Sequence, residues 1–306
     1  MGTLLMTGAS RGLGREAAER LLRDHPDQHL LLTVRGANGD RLAAELAGKT
    51  GNANVSTVPA DLASFASLHE AVREIERRID AGELPPLTGF LGNAGLQLTS
   101  TERATEDGFE VTFGVNVLAY YLLLRLLFDR FQPGSRIVVV GSDVHFGDVR
   151  HNLGLVPAPR WATVAELARP RPGGALAGRR AYATSKLGVL YLVHALARRL
   201  PDGVDAYTYN PGLVPGTGLL RDAHPVTRAV AGPLLQAVRA TPFAMGPVAA
   251  GGLLAETALG PRPGASGSYL DRGKVVPSSP ESYDEDREEE LWAAAAQLCG
   301  LPAEVR

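Results

Sequence analysis

The sequence predicts an α/β protein, a doubly wound parallel sheet of about seven strands with helices on both faces. Three observations carry that prediction. Short apolar runs alternate with amphipathic stretches along most of the chain, the pattern of strands joined by crossover helices. The strand 136–140 contains the unbroken run Ile137-Val138-Val139-Val140, as expected of a strand buried on both faces. The first apolar run passes directly into the glycine-rich stretch Thr7-Gly8-Ala9-Ser10-Arg11-Gly12-Leu13-Gly14, which reads as a tight turn between a strand and a helix.

In order, the first strand is 3–6. The glycines after it are spaced Gly-x-x-x-Gly-x-Gly. Gly8 permits the turn, Gly12 lets backbone approach a pyrophosphate, and Gly14 lets the helix pack closely on its strand. The helix N-terminus then offers unpaired N–H groups to an anion. A helix over 13–23 places Leu13, Ala17 and Leu21 on one face and stops at Asp24-His25-Pro26. Strand 30–34 ends at Arg35, where a dinucleotide site for an unphosphorylated ribose has an acid. Arg35 and Arg11 suit a 2′-phosphate, the plainer alternative being two solvated arginines.

Asp40 caps a short helix ending at Leu46, and strand 55–60 leads to Asp61, which taken alone begins the next turn. Ser64 caps a helix whose Phe65, Leu68, Val72, Ile75 and Ile79 form one apolar stripe. Strand 87–91 runs into Gly92-Asn93-Ala94-Gly95, where the Asn amide can bridge neighbouring strand ends. A long helix over 105–131 carries Asn116 among apolar neighbours, where a lone Asn is usually satisfied locally. Gly141-Ser142 follows strand 136–140, at the sheet edge where ligands of such folds bind.

Forty positions separate Ser142 from Tyr182, and the extra segment, about 146–180, contains Trp161, Val164, Leu167 and the run Arg169-Pro170-Arg171-Pro172. A helix over 181–200 begins Ala181-Tyr182-Ala183-Thr184-Ser185-Lys186, which stacks Tyr182 and Lys186 on one face. Strand 204–209 ends in Asn210-Pro211-Gly212. A substrate lid is expected over about 213–245, where Val226, Val230, Leu234 and Val238 give either a ligand-covering face or ordinary core. A small-residue helix over 247–259, a last strand over 268–276, and a C-terminal helix started by the acidic run 281–290 and docked by Trp292 and Leu298 complete the chain.

Composition agrees with one soluble globular domain over 1–306. Hydrophobic residues make up 45% and charged residues 21%, which argues against disorder. A net charge of −2 offers no footprint for nucleic acid. The single Cys299 excludes an internal disulfide, and a first strand at residue 3 leaves no room for a leader ahead of it, so cytoplasm is the expected compartment. No span of membrane length and no metal-ligand cluster is evident, so no metal is expected.

Taken together, the Thr-Gly-x-x-x-Gly-x-Gly turn, Asn93-Ala94-Gly95, Ser142, Tyr182-x-x-x-Lys186 and Pro211-Gly212, in that order over nearly the whole chain, resemble the short-chain dehydrogenase/reductase family. The long insertion before Tyr182, the stretch 211–221 and the acidic C-terminal helix look most like the protochlorophyllide reductase, retinol dehydrogenase and carbonyl reductase branch. The resemblance implies a Rossmann-type NADP-binding domain and catalysis by Asn116, Ser142, Tyr182 and Lys186. It also implies NADPH contacts at Gly8, Ser10, Arg11, Gly12, Leu13, Gly14, Arg35, Asp61, Leu62, Asn93, Ala94, Gly95, Tyr182, Lys186, Pro211, Gly212, Val214 and Thr217. The implied reaction is carbonyl reduction or alcohol oxidation on a bulky hydrophobic small molecule. The alternatives are reduction of a carbon–carbon double bond, or NADPH binding by a sensor or scaffold without turnover. The core Tyr-Ala-Thr-Ser-Lys and the lack of cysteines away from the C-terminus depart from the light-dependent protochlorophyllide reductases and speak against pigment photochemistry. Many relatives dimerise through the two long helices, here 105–131 and 182–200. The insertion, through Trp161, Val164 and Leu167, is expected to cover that face, which favours a monomer over a dimer.

Overall fold

The structure, a computed structural model, describes residues 2–152, 154–214 and 244–304. Strands β1 (Thr3–Thr7), β2 (His29–Val34), β3 (Val55–Pro59), β4 (Leu87–Gly92), β5 (Phe131–Val140), β6 (Asp205–Asn210) and β7 (Tyr269–Asp271) run parallel, and β8 (Lys274–Val275) returns antiparallel on β7. Their order is β3-β2-β1-β4-β5-β6-β7-β8. The order reverses at β1, so the carboxyl ends of β1 and β4 flank the crevice in which open α/β sheets bind their ligands.

Period-two alternation sends side chains of each central strand into two separate cores. Leu4, Met6, Leu30, Leu32 and Val138 pack with helices α1 (Gly12–Asp24), α2 (Gly39–Thr50) and α9 (Pro247–Leu259). Leu5, Leu31, Phe90, Ile137 and Val139 pack on the opposite side with α3 (Phe65–Asp80), α5 (Ala119–Leu126) and α8 (Ala175–Ala197). The small residues of α9 let it lie against α1: a Cβ on Gly251 would come within 2.6 Å of Glu16 Cβ. Ser64 caps α3 as expected, its hydroxyl accepting the Ser67 N–H.

Several boundaries differ from the sequence reading. Asp40 sits inside the first turn of α2, behind Asn38 at the N-cap, and the helix runs on to Thr50. The helix expected over 105–131 begins only at α4 (Val111–Phe113), because Glu110 caps it by accepting the Thr112 and Phe113 N–H groups. It passes through a π-helical turn (Gly114–Leu118) into α5 and stops at Leu126, and Phe131 is taken by the sheet, paired with Leu87. Two short helices, α6 (Val149–Asn152) and α7 (Val164–Leu167), form within the insertion, and α8 starts at Ala175, six residues ahead of expectation. The last strand is a hairpin, turned by Arg272 and Gly273 at φ of 49° and 80°, so the described sheet has eight strands. The acidic run folds as a 3₁₀ turn (Pro280–Tyr283) and then α10 (Glu285–Leu298), capped by Asp284.

Candidate active site

The glycine turn is held in its shape by contacts a side chain would destroy. Gly8 and Gly12 have φ of 74° and 54°, a region that favours glycine. A Cβ on Gly14 would lie 2.1 Å from the Gly8 carbonyl oxygen and 2.3 Å from Asn93 Nδ2. Gly14 is therefore needed by the turn itself as well as by the helix. Asn93 donates through Nδ2 to Gly8 O (2.9 Å) and Thr7 O (3.4 Å), tying the ends of β4 and β1 together as expected. Thr7 Oγ1 accepts the Ala94 N–H at 3.0 Å and bonds the Tyr120 hydroxyl at 3.1 Å, while Tyr120 donates to Ala94 O. Tyr120 is thus a buried brace for the Asn-Ala-Gly turn. In sequence it is indistinguishable from its apolar helix neighbours.

The first turn of α1 holds no acid, and no side chain caps its N-terminus. Those N–H groups, with the exposed Arg11 at the N-cap, form a cradle suited to a pyrophosphate. Thr7 pairs with Thr33, so the exposed Arg35, two residues beyond Thr33, leaves the sheet at the same edge. Ser10 and Leu13 lie in this turn and the start of α1. Past β3, Asp61 Oδ1 accepts the Ala63 N–H at 3.0 Å and the half-buried Leu62 packs on the core, so the Asp61 side chain starts the turn before α3.

Asn116 lies in the π turn with its amide committed: Nδ2 donates to Leu96 O and Ser185 Oγ, both at 2.9 Å, and Oδ1 accepts the Leu96 N–H at 3.0 Å. The local alternative is thus what these bonds show, and they hold the strand-end segment onto α8. A Cβ at Gly95 would stand between Asn116 Oδ1 (3.4 Å) and Lys186 Nζ (3.6 Å), so the glycine leaves that space open.

Ser142, Tyr182 and Lys186 converge beyond β5. The half-buried Tyr182 has the Ser142 hydroxyl against its phenol, but burial dominates and pushes the phenol up to about 12. Lys186 is buried, donates to Val140 O at 2.8 Å, and lies with Nζ 5.7 Å from the Tyr182 ring centre. Burial brings its ammonium down to about 8. Ser142 caps a 3₁₀ turn (Asp143–Phe146), and its hydroxyl donates to Asp143 Oδ1 at 3.4 Å. Burial and then the neighbouring Asp271 carboxylate raise Asp143 to about 6.

His145 and Asp143 were not singled out in the sequence. His145 is buried, and its Nε2 accepts the Ser279 N–H at 3.1 Å. A backbone N–H can only donate, so the ring proton is on Nδ1, which donates to Ser142 O at 2.6 Å. Burial lowers His145 to about 4, keeping it neutral. It clamps the Ser142 turn to a segment 134 residues away, and no local pattern announces such a partner.

At the end of β6, Gly212 has φ of 68° and donates its N–H to Asn210 Oδ1 at 3.1 Å, next to Pro211. Val214 is buried, and Leu213 O accepts the Met245 N–H at 2.9 Å, so the chain leaves and rejoins the site at neighbouring points. Thr217, the lid residues Val226, Val230, Leu234 and Val238, and most of the expected lid lie outside the described residues. In the insertion, Trp161 packs edge-on against Tyr191 of α8 at 4.7 Å, and Val164 and Leu167 are buried. Glu290 of α10 accepts from the Trp161 indole at 3.4 Å and the Val164 N–H at 3.2 Å.

Residues 2–152 match the family model described as short chain dehydrogenase. Human retinol dehydrogenase 13 is 31% identical, over 98% of this chain and 85% of that protein. The chloroplastic protochlorophyllide reductase of Chlamydomonas reinhardtii is 29% identical, over 98% and 78%. Among solved structures, a blue fluorescent protein from a metagenomic library, in complex with NADPH, is 25% identical with a TM-score of 0.62, over 88% of this chain and 95% of that one.

Proposed function

The chain belongs to the short-chain dehydrogenase/reductase family of oxidoreductases, and from that premise we infer that it is an NADPH-dependent reductase of carbonyl groups on bulky, largely hydrophobic molecules. The observation that carries this reading is the convergence of Ser142, Tyr182 and Lys186 at the carboxyl end of β5. The uncapped N-terminus of α1 and the glycine turn suit the pyrophosphate, with Arg11 and Arg35 for the 2′-phosphate. When bound, NADPH supplies the hydride.

Ser142 donates a hydrogen bond to the substrate carbonyl oxygen, opposing the charge that develops there. Tyr182, at about 12, is protonated at neutral pH and is the donor that turns the nascent alkoxide into an alcohol. Working backwards, as a base, it must first ionise, which at pH 7 costs about 7 kcal/mol for five pKa units. Lys186, charged at neutral pH, stabilises the phenolate left behind. A water on the remaining lone pair of Asn116 Oδ1 restores the proton. Tyr182→Phe tests the assignment: turnover should fall by at least a thousandfold, roughly the upper range for one acid–base group, with NADPH binding retained. Undiminished turnover would remove Tyr182 from this role.

The similarity to protochlorophyllide reductases keeps carbon–carbon double-bond reduction as a second reading, served by the same residues. Deuterated NADPH separates the two, placing label on an alcohol carbon or on a former alkene carbon. The packing of the insertion and α10 on the outer face of α8 supports a monomer. Among the described residues no helix is long and apolar enough to cross a membrane.

A further inference from the structure

The insertion borders an open cavity of about 370 Å³ against the start of α4 and the first half of α8. Its volume lies within the range of roughly 300–1,000 Å³ usual for small-ligand pockets. Four arginines line it, Arg160, Arg169, Arg171 and Arg180. Among the described residues none of the four forms an ion pair, whereas Arg77, Arg130, Arg198 and Arg287 all do.

The wall also holds two acids, both of which feel the Arg171 charge, so its four guanidinium groups outnumber its carboxylates two to one. Glu110 accepts the Thr112 and Phe113 N–H groups at 3.0 and 2.8 Å, and Glu166 accepts from the Thr163 hydroxyl and N–H at 2.8 and 3.1 Å. The segment 146–180 carries six arginines against two acids in a chain whose net charge is −2, so its positive charge is local. Two of the arginines are anchored through their main chain. The Arg160 N–H donates to Thr184 Oγ1 at 3.0 Å, and Arg171 exchanges two bonds of 2.9 Å with Thr101.

The cavity is separate from the catalytic centre. Ala177, Arg180, Ala181 and Thr184 line it. At 100° per residue these positions centre on the face of α8 opposite Tyr182 and Lys186. Nothing in the reaction assigned above uses them.

We propose that this cavity is a second ligand site, which binds a small phosphate-bearing molecule through the guanidinium groups of Arg160, Arg169, Arg171 and Arg180. Guanidinium groups form paired, charge-assisted hydrogen bonds with phosphate oxygens, and these four, though exposed, leave the wall with a surplus of positive charge over its two carboxylates. A bulky hydrophobic molecule does not fit this chemistry. Free phosphates and phosphorylated metabolites do, and the test below separates them.

The test is calorimetric titration of inorganic pyrophosphate into the full-length protein, saturated with NADPH and at constant ionic strength, so that the cofactor cradle is blocked and screening is fixed. One pyrophosphate should bind per chain. The double variant Arg171→Gln/Arg180→Gln should weaken it by about tenfold or more. Arg150→Gln, in the same insertion but not in the cavity wall, should leave it unchanged. The proposal fails if pyrophosphate does not bind, if NADPH abolishes its binding, or if Arg150→Gln weakens it as much as the double variant does. Glycerol 3-phosphate binding more tightly than inorganic phosphate would assign the site to a phosphorylated metabolite, and the reverse order to free phosphate.

Discussion

Replacing Lys186 by methionine removes a buried cation beside Tyr182, and the size of the effect follows from the geometry. Nζ lies 5.7 Å from the Tyr182 ring centre. At an effective dielectric constant of about 20, a unit charge at that range is worth about 3 kcal/mol, or roughly two pKa units. Alcohol oxidation needs the phenolate, so kcat at saturating cofactor should fall about 100-fold at pH 7. Because burial has already lowered Lys186 to about 8, the wild-type advantage is full below that pH and shrinks above it, as Lys186 gives up its proton. Lys186→Arg, whose guanidinium keeps its charge, should lack that inflection. The assay is kcat for an alcohol substrate from pH 6 to 10. A ratio of wild type to Lys186→Met that stays flat across this range, or lies within threefold of unity at pH 7, would refute the electrostatic account.

Arg35→Asp should abolish a preference for NADPH over NADH that is tenfold or greater in the wild type, since charge-assisted bonds are worth about 1.5–3 kcal/mol; equal kcat/KM for both cofactors in the wild type would remove Arg35 from that role. Asp143, raised to about 6 in the fold, contributes stability below its unfolded pKa of about 3.9 and loses it as pH rises through 6, by about 2–3 kcal/mol. His145, lowered to about 4, has the opposite slope: its contribution is whole above about 6.5 and is lost as pH falls toward 4. The two offset each other between pH 4 and 6, so Asp143→Asn should gain about 2–3 kcal/mol on the wild type from pH 4 to 7 in urea unfolding; parallel curves for the two proteins would contradict the Asp143 assignment. Light scattering at micromolar concentration should give the mass of one 32.3 kDa chain, and a stable mass of twice that would show that the insertion leaves the α8 face open.

The sheet and the proposed catalytic face were legible because their signals are local and ordered. The run 137–140, the strand-turn-helix around Gly8, and Tyr182 one helical turn before Lys186 each need only a few neighbouring residues. Boundaries failed where tertiary structure overrides propensity. No breaker marks 127–131 as the end of a helix; Phe131 leaves it because Leu87 pairs with it. The start of α8 was hidden by Gly173-Gly174 and Gly178, which weaken a helical reading. Gly178 is required because a Cβ there would meet Leu98 O at 2.3 Å, a contact made with a distant loop. The hairpin at Arg272-Gly273 had a signal, a glycine between two short apolar runs, which the reading of one continuous strand passed over.

The supporting residues follow a different rule from the catalytic ones. Tyr182 and Lys186 must share one helix face, so their relation is written in four residues of sequence. His145 acts by joining Ser142 O to Ser279 N, and Tyr120 by joining Thr7 to Ala94. These relations exist only once the sheet has brought those chain segments together. The arginines at 160, 169, 171 and 180 are of this second kind. Spaced along an insertion they read as solvated charge, and only the folded insertion, its main chain anchored at Arg160 on Thr184 and at Arg171 on Thr101, brings all four to the wall of one cavity. Chemistry that depends on a fixed spacing can thus be read from the chain, whereas what positions or surrounds it becomes visible only with the fold.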